Sequence, residues 1–282
     1  MVASALLFAS MGASIKIASR SLPNTMVVFF RNAVGLAVLS PWLVPLGLRG
    51  LVTADLRGHL VRGLAGLASM YCYFHAISRL RLADAVLLNH CLPLFIPLVE
   101  KAWLGEPAPR RLWRPLGLGF LGLVLILRPG SGLFQPAAFV GLLAAAFAAL
   151  AQVGIRRLTR TEPVTRIVFY FGAIATAASA LPLALPGSWK APEPSLWGVL
   201  LATGVFATAG QLFLTRAYGH APAARVGPFI YTGVVFAGGL DWALWGVLPD
   251  AAFVAGAALV CLAAILVLRM RPEAEVRPGS ET

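Results

Sequence analysis

Residues 136–156 read PAAFVGLLAAAFAALAQVGIR, with no charged side chain before Arg156. A helix that crosses the core of a bilayer needs about 20 consecutive apolar residues, and this stretch supplies them without a break. Its neighbours have the same character. Working outward, runs bounded by Pro, Gly and charged residues predict spans at about 2–18, 25–46, 58–78, 83–104, 112–128, 136–156, 165–186, 195–216, 224–247 and 250–269. The 282 residues are 59% hydrophobic and 12% charged, whereas a soluble domain carries about 25% charge. Most soluble enzyme folds are therefore excluded. A transmembrane barrel would alternate polar and apolar residues in segments of about ten, but these runs are continuous and longer. The predicted fold is all-α: a polytopic membrane protein of ten transmembrane helices.

The formal net charge of +12 would suggest nucleic acid in a soluble chain. Here Lys and Arg sit between apolar runs, so no nucleic-acid partner is expected and the lipid bilayer is the surrounding phase. Basic residues accumulate on the cytoplasmic side of membrane proteins. With the N-terminus inside, sixteen Lys and Arg, Arg57 and Arg62 among them, fall on the cytoplasmic side, against six outside and Arg31 within a span. Both termini are expected in the cytoplasm of a bacterial inner membrane. The tryptophans lie near predicted span ends, where amphipathic rings prefer the headgroup region. Cys72, Cys91 and Cys261 all fall inside apolar runs and read as small core residues, not as a disulfide or metal site. Val2–Ala18 lacks a basic leader and reads as the first span, not a signal peptide.

Sliding the chain along itself by 141 residues pairs Phe30 with Phe171, Pro41 with Pro182, Gly63 with Gly204, Phe95 with Phe236, Gly105 with Gly246, and Glu100 with Asp241. The same shift superposes all five span boundaries. Two five-span repeats are predicted, at 1–134 and 135–270, with 271–282 as a disordered cytoplasmic tail. Five is odd, so the second repeat must cross the membrane in the opposite sense. Inverted repeats are a transporter architecture, because they supply two related conformations that open to opposite sides.

Several motifs resemble the drug/metabolite transporter superfamily in its ten-span, two-repeat branch. They are Pro23 with Arg31-Asn-Ala, the stretch Ala76 to Ala85, Pro93-Leu-Phe, Leu104-Gly-Glu106 and the Gly117 to Gly122 helix. The second half follows more loosely, through Ala217 to Ala224, Pro228-Phe and Leu244-Trp-Gly246, and departs at Val247, where the family usually has Glu. The chain looks most similar to bacterial exporters of aromatic amino acids. That resemblance implies export of aromatic or hydrophobic amino acids from the cytoplasm by alternating access, with multidrug or organic-cation export as the alternative. A nucleotide-sugar or organic-phosphate antiporter would need several deep basic groups, and only Arg31, Arg216 and Lys16 come near to that.

On a helix turning 100° per residue, Val86, Asn89, His90, Pro93, Pro97 and Glu100 share one arc of span 4. Tyr231, Gly238 and Asp241 occupy the equivalent arc of span 9. Polar groups facing lipid are expensive, so these faces should point inward, placing the substrate among spans 3, 4, 8 and 9 with help from spans 1, 2, 6 and 7. The candidate substrate contacts are Tyr71, Tyr73, Asn89, His90, Gln152, Tyr170, Gln211 and Tyr231, polar or aromatic groups in otherwise apolar spans. For His90, a bond to a neighbouring carbonyl is the alternative role. Arg31, Pro93, Pro97, Glu100, Gly238 and Asp241 are candidates for gating or structural roles, the prolines and Gly238-Gly239 as kinks. Glu100, beside Lys101, could sit in a solvated ion cluster at the cytoplasmic mouth. Gly63, Gly66, Gly119 and Gly122 are assigned to close helix packing. No Walker loop, His-Glu-x-x-His or nucleophile elbow occurs, so neither a cofactor nor catalysis is expected, and the chain is expected to act as a monomer.

Overall fold

The computed structural model describes residues 1–80, 82–130, 135–185 and 189–270; the expected tail at 271–282 lies outside them. The helices are α1 (Val2–Ala18), α2 (Asn24–Leu43), the short α3 (Gly47–Leu51), α4 (Leu56–Arg79), α5 (Leu82–Asn89), α6 (Leu92–Leu104), α7 (Trp113–Leu127), α8 (Pro136–Leu158), α9 (Val164–Ala180), α10 (Trp197–His220), the short α11 (Ala223–Val226), α12 (Thr232–Trp245) and α13 (Ala251–Arg269). There is no strand among the described residues. Among the described residues, seven segments are long and apolar enough to cross a membrane, three fewer than the sequence suggested. The shortfall has local causes. α1 has 17 residues and α7 has 15, while α4 has 24 but carries Arg57, His59, Arg62 and Arg79.

Helix boundaries follow from capping chemistry. Asp55 opens α4 by accepting from the Gly58 amide at 2.9 Å, and Asp250 opens α13 by accepting from the Phe253 amide at 2.9 Å. Gly105 and Gly246, 141 residues apart, close α6 and α12 with φ of +71° and +68°, a backbone position at which a side chain would be strained. Predicted span 4 is not one helix: it stops after Asn89 and restarts at Leu92, where Pro93 needs no amide partner. Predicted span 9 breaks at the corresponding place, a 3-10 stretch over Gly227–Tyr231 that contains Pro228. Gly238, by contrast, lies within unbroken α12, with Phe253 packed on it.

The helices pair as α4 with α8, α1 with α10, α2 with α9, and α7 with α13, while α10 also packs on α2 and α4 on α9. Small residues allow the close contacts: Gly63 meets Ile174, Gly66 meets Phe171, Gly119 meets Tyr231, and Gly122 meets the Gly256 carbonyl. Leu60, Val61 and Leu64 of α4 are exposed, as lipid-facing side chains should be.

Ion pairs gather at two ends. At one, Arg156 and Arg160 reach Glu106 and Arg157 reaches Asp55; at the other, Lys16 pairs with Asp241 at 2.7 Å and Arg128 with Asp250 at 2.5 Å.

In the turn before α9, Glu162 accepts from the Thr53 hydroxyl at 2.6 Å and from Arg166 Nη1 at 2.5 Å. Burial favours the neutral acid, but these two donors outweigh it and hold the carboxyl below its usual range. A depressed carboxylate contributes stability that is present above its unfolded value of 4.5 and lost as pH falls through the folded value. Melting temperature in detergent should therefore decline below about pH 4.5, and less steeply in Glu162→Gln. An unchanged acid slope in that variant would contradict this account.

Candidate functional site

α2, α9 and α10 converge on a small cavity because small residues bring them together. A Cβ on Gly204 of α10 would lie 2.9 Å from the Gly35 amide nitrogen of α2, and the Thr208 hydroxyl donates to the Gly35 carbonyl at 2.8 Å. The cavity walls include Arg31 and Asn32 from α2, Val168 and Phe171 from α9, and Thr208 and Gln211 from α10. It holds about 30 Å³, room for a water but not for an organic solute. Admitting one requires the surrounding helices to move.

Two guanidinium groups dominate the electrostatics. Arg31 donates from Nη1 to the Asn32 side-chain carbonyl at 2.8 Å and from Nε to Met11 Sδ at 3.3 Å. Arg62 of α4 is 2% exposed. It donates from Nη2 to Gln211 Oε1 at 3.0 Å, and its guanidinium carbon lies 3.7 Å from the Phe171 ring centroid. Arg62 Nε and Nη1 and Asn32 Nδ2 are buried and without a partner among the described residues. One turn before Arg62, buried His59 stacks on Tyr170 at 4.3 Å, and both its ring nitrogens likewise lack partners among the described residues. None of the ion pairs among the described residues involves Arg31 or Arg62. An uncompensated buried charge costs several kcal/mol even after relaxation, so this cluster is expensive for the protein alone.

Of the eight candidate substrate contacts, Gln211 lines the cavity, while Tyr170 stacks on His59 and its hydroxyl donates to the Leu51 carbonyl at 3.0 Å. The others lie elsewhere. Tyr71 is exposed on α4, and Tyr73 packs against the cluster of Ala76, Leu80 and Ala85. Asn89 and His90 are half-buried at the α5–α6 junction, where His90 Nδ1 sits 2.9 Å from the Val86 carbonyl, the alternative weighed from the sequence. Tyr218 donates to Gln152. Tyr231 is fully buried under Gly119. The cavity thus sits nearer predicted spans 2, 7 and 8 than spans 4 and 9.

Glu100 is 1% exposed, which corrects its placement in a solvated cluster. It accepts from the Ala223 and Ala224 amides at 2.5 and 2.7 Å and so ties α6 to α11. Asp241, the residue paired with it by the 141-residue shift, is half-exposed and held by Lys16. Pro93 is buried in the first turn of α6 and Pro97 inside it.

Arg62 was missed because it was counted with the cytoplasmic-side charges. The available signal was its helical face. Gly58, Arg62, Gly66 and Ser69 recur at intervals of three or four on the face opposite Leu60 and Leu64. A charge set among small residues faces packed helices, not lipid.

The EamA-like transporter family profile matches residues 1–128 and 135–269. The pseudopaline exporter CntI of Pseudomonas aeruginosa is 39% identical over 94% of this chain and 93% of its own. A riboflavin transporter of Brucella anthropi is 28% identical over 88% and 89%, and an S-adenosylmethionine uptake transporter of Rickettsia prowazekii 26% over 86% and 82%. None of these three is an aromatic amino acid exporter. A crystal structure of a protein 22% identical superposes with a TM-score of 0.80 over 94% of this chain and 95% of that one, which shows the fold.

Proposed function

Because this chain belongs to the EamA-like transporter family, we propose that it exports small organic solutes across a bacterial inner membrane by alternating access between two inverted five-helix repeats, residues 1–134 and 135–270. The observation that carries this reading is the pattern of helix partners. α4 on α8 becomes α10 on α1 when the halves are exchanged, α4 on α9 becomes α10 on α2, and α2 on α9 and α7 on α13 map onto themselves. The paired breaks before α6 and α12 and the paired glycines 105 and 246 follow the same exchange. Such halves can adopt each other's arrangement, so one bundle has two related states that open to opposite sides.

Glu100 and Asp241 supply the difference between those states. Glu100 latches α6 to α11 at the end that carries Glu106, Arg156 and Arg160, while Asp241 is paired with Lys16 at the other. The distribution of basic residues supports a cytoplasmic Glu106 end, with both termini on that side. The cavity, with an aromatic wall at Phe171 and donors at Arg31, Asn32 and Thr208, suits a solute with an apolar body and a polar end. Aromatic amino acids meet that description.

Export, as in the pseudopaline exporter, is favoured over uptake by the higher identity of that relative. Purified protein in liposomes should give saturable, protein-dependent flux of at least one of tryptophan, phenylalanine, tyrosine, histidine and riboflavin, faster from the cytoplasmic face. Flux of none of them above protein-free liposomes would remove the transport reading, and preferential flux inward would replace export by uptake.

A further inference from the structure

We propose that Arg62 and Arg31 are two successive stations for the carboxylate of an organic anion, so that the transported solute class is carboxylates with an apolar or aromatic body. This rests on the transporter reading above and names the substrate of the same site. The unpartnered buried atoms on α2 and Arg62 are all donors: Asn32 Nδ2, Arg62 Nε and Arg62 Nη1. A surplus of buried donors beside two cations is complementary to a ligand with negatively charged acceptor oxygens, and guanidinium binds carboxylate through paired N–H bonds. Gln211 and the Phe171 face hold Arg62 in place from two directions, a prearrangement that lowers the ordering cost of binding. The remaining walls, among them Val168 and Leu36, are apolar, which favours a carboxylate on a hydrophobic body over a compact, strongly hydrated phosphate.

The arginines also differ in depth. Arg62 lies six residues into α4 and Arg31 seven residues into α2, about 9 and 10 Å at 1.5 Å per residue. The chain runs from the end of α2 through the short α3 to the start of α4, so the two helices start at opposite ends of the bundle. A carboxylate entering from the Glu106 end meets Arg62 first and can pass to Arg31 across the cavity.

The test combines binding with flux. Melting temperature in detergent should rise with N-acetylphenylalanine and with the dicarboxylate benzylsuccinate, and not with N-acetylphenylalaninamide. In Arg62→Gln and Arg31→Gln the apparent affinity for both acids should fall at least about tenfold, with Arg62→Lys intermediate, since lysine keeps the charge but not the paired donors. Without ligand, Arg62→Gln should melt at or above the wild-type temperature, because it removes an uncompensated buried charge; a merely structural arginine would lower it. If Arg62→Gln fails to fold, Arg31→Gln and Arg62→Lys carry the same comparison. Equal effects of acid and amide, unchanged affinity in these variants, or equal stabilisation by phenyl phosphate would overturn the proposal. Flux of neutral solutes with no response to carboxylates would overturn it while leaving the transporter reading intact. Carboxylate-dependent stabilisation with no flux of any solute would support the site and remove the transporter.

Discussion

Glu100→Ala is expected to destabilise the folded chain by about 3 kcal/mol. The carboxylate accepts from the amides of Ala223 and Ala224 in the first turn of α11, which begins after Pro222 and has no side-chain cap of its own. Each buried donor left without an acceptor costs about 1–3 kcal/mol, and entry of water recovers part of the sum. Glu100→Gln should lose about half as much, because one carbonyl still accepts while the amide NH2 confronts the second donor. Denaturation in mixed micelles measures both. Cys91 offers a second reading: it is 8% exposed, beside the α5–α6 junction, and should react faster with a maleimide once the latch is gone. Variants within about 0.5 kcal/mol of wild type, with Cys91 still protected, would mean that Glu100 does not hold the two halves together.

The second large effect is at the α7–α13 contact. A Cβ on Gly122 would lie 2.6 Å from the Gly256 carbonyl oxygen, and one on Gly256 would lie 2.5 Å from the Gly122 oxygen. Replacing a helical glycine by alanine ordinarily gains up to about 1 kcal/mol. Here the obstacle is backbone, which cannot swing aside, so overpacking of about 1–3 kcal/mol decides the sign. Gly122→Ala should be destabilising and Gly122→Val more so, by about 3 kcal/mol or above. Gly117→Ala on the same helix is the control. Nothing lies within 4 Å of its added carbon, and the change should be neutral or stabilising. The reverse order of melting temperatures would show that the two helices do not approach as closely as described.

Features that depend on one helix and its solvent were legible in the sequence. The apolar stretch at 136–156 became α8, Gly63, Gly66, Gly119 and Gly122 became packing contacts, and the hydrogen bond to Val86 was among the roles weighed for His90. Span 4 was read as one helix, although Pro93 marks where the backbone ladder is interrupted. Tyr231 and Gln152 looked like binding groups because a polar atom in an apolar span stands out. Their surroundings, Gly119 over one ring and the Tyr218 hydroxyl on the other amide, come from residues far along the chain.

Hydropathy and charge bias thus carried the helical membrane class and short motifs the family resemblance, because each draws on many residues in which local errors cancel. The location of the cavity was decided only by tertiary structure. It depends on which faces of α2, α4, α9 and α10 meet, and a shift of one residue turns a side chain by 100°. The same holds for the charges. Arg62 and Glu106 look alike as charged groups near a span end, yet one is enclosed beside Phe171 and Gln211 while the other meets Arg156 and Arg160 at the end of the bundle. Only the packed neighbours distinguish a charge that water solvates from one that a ligand must neutralise.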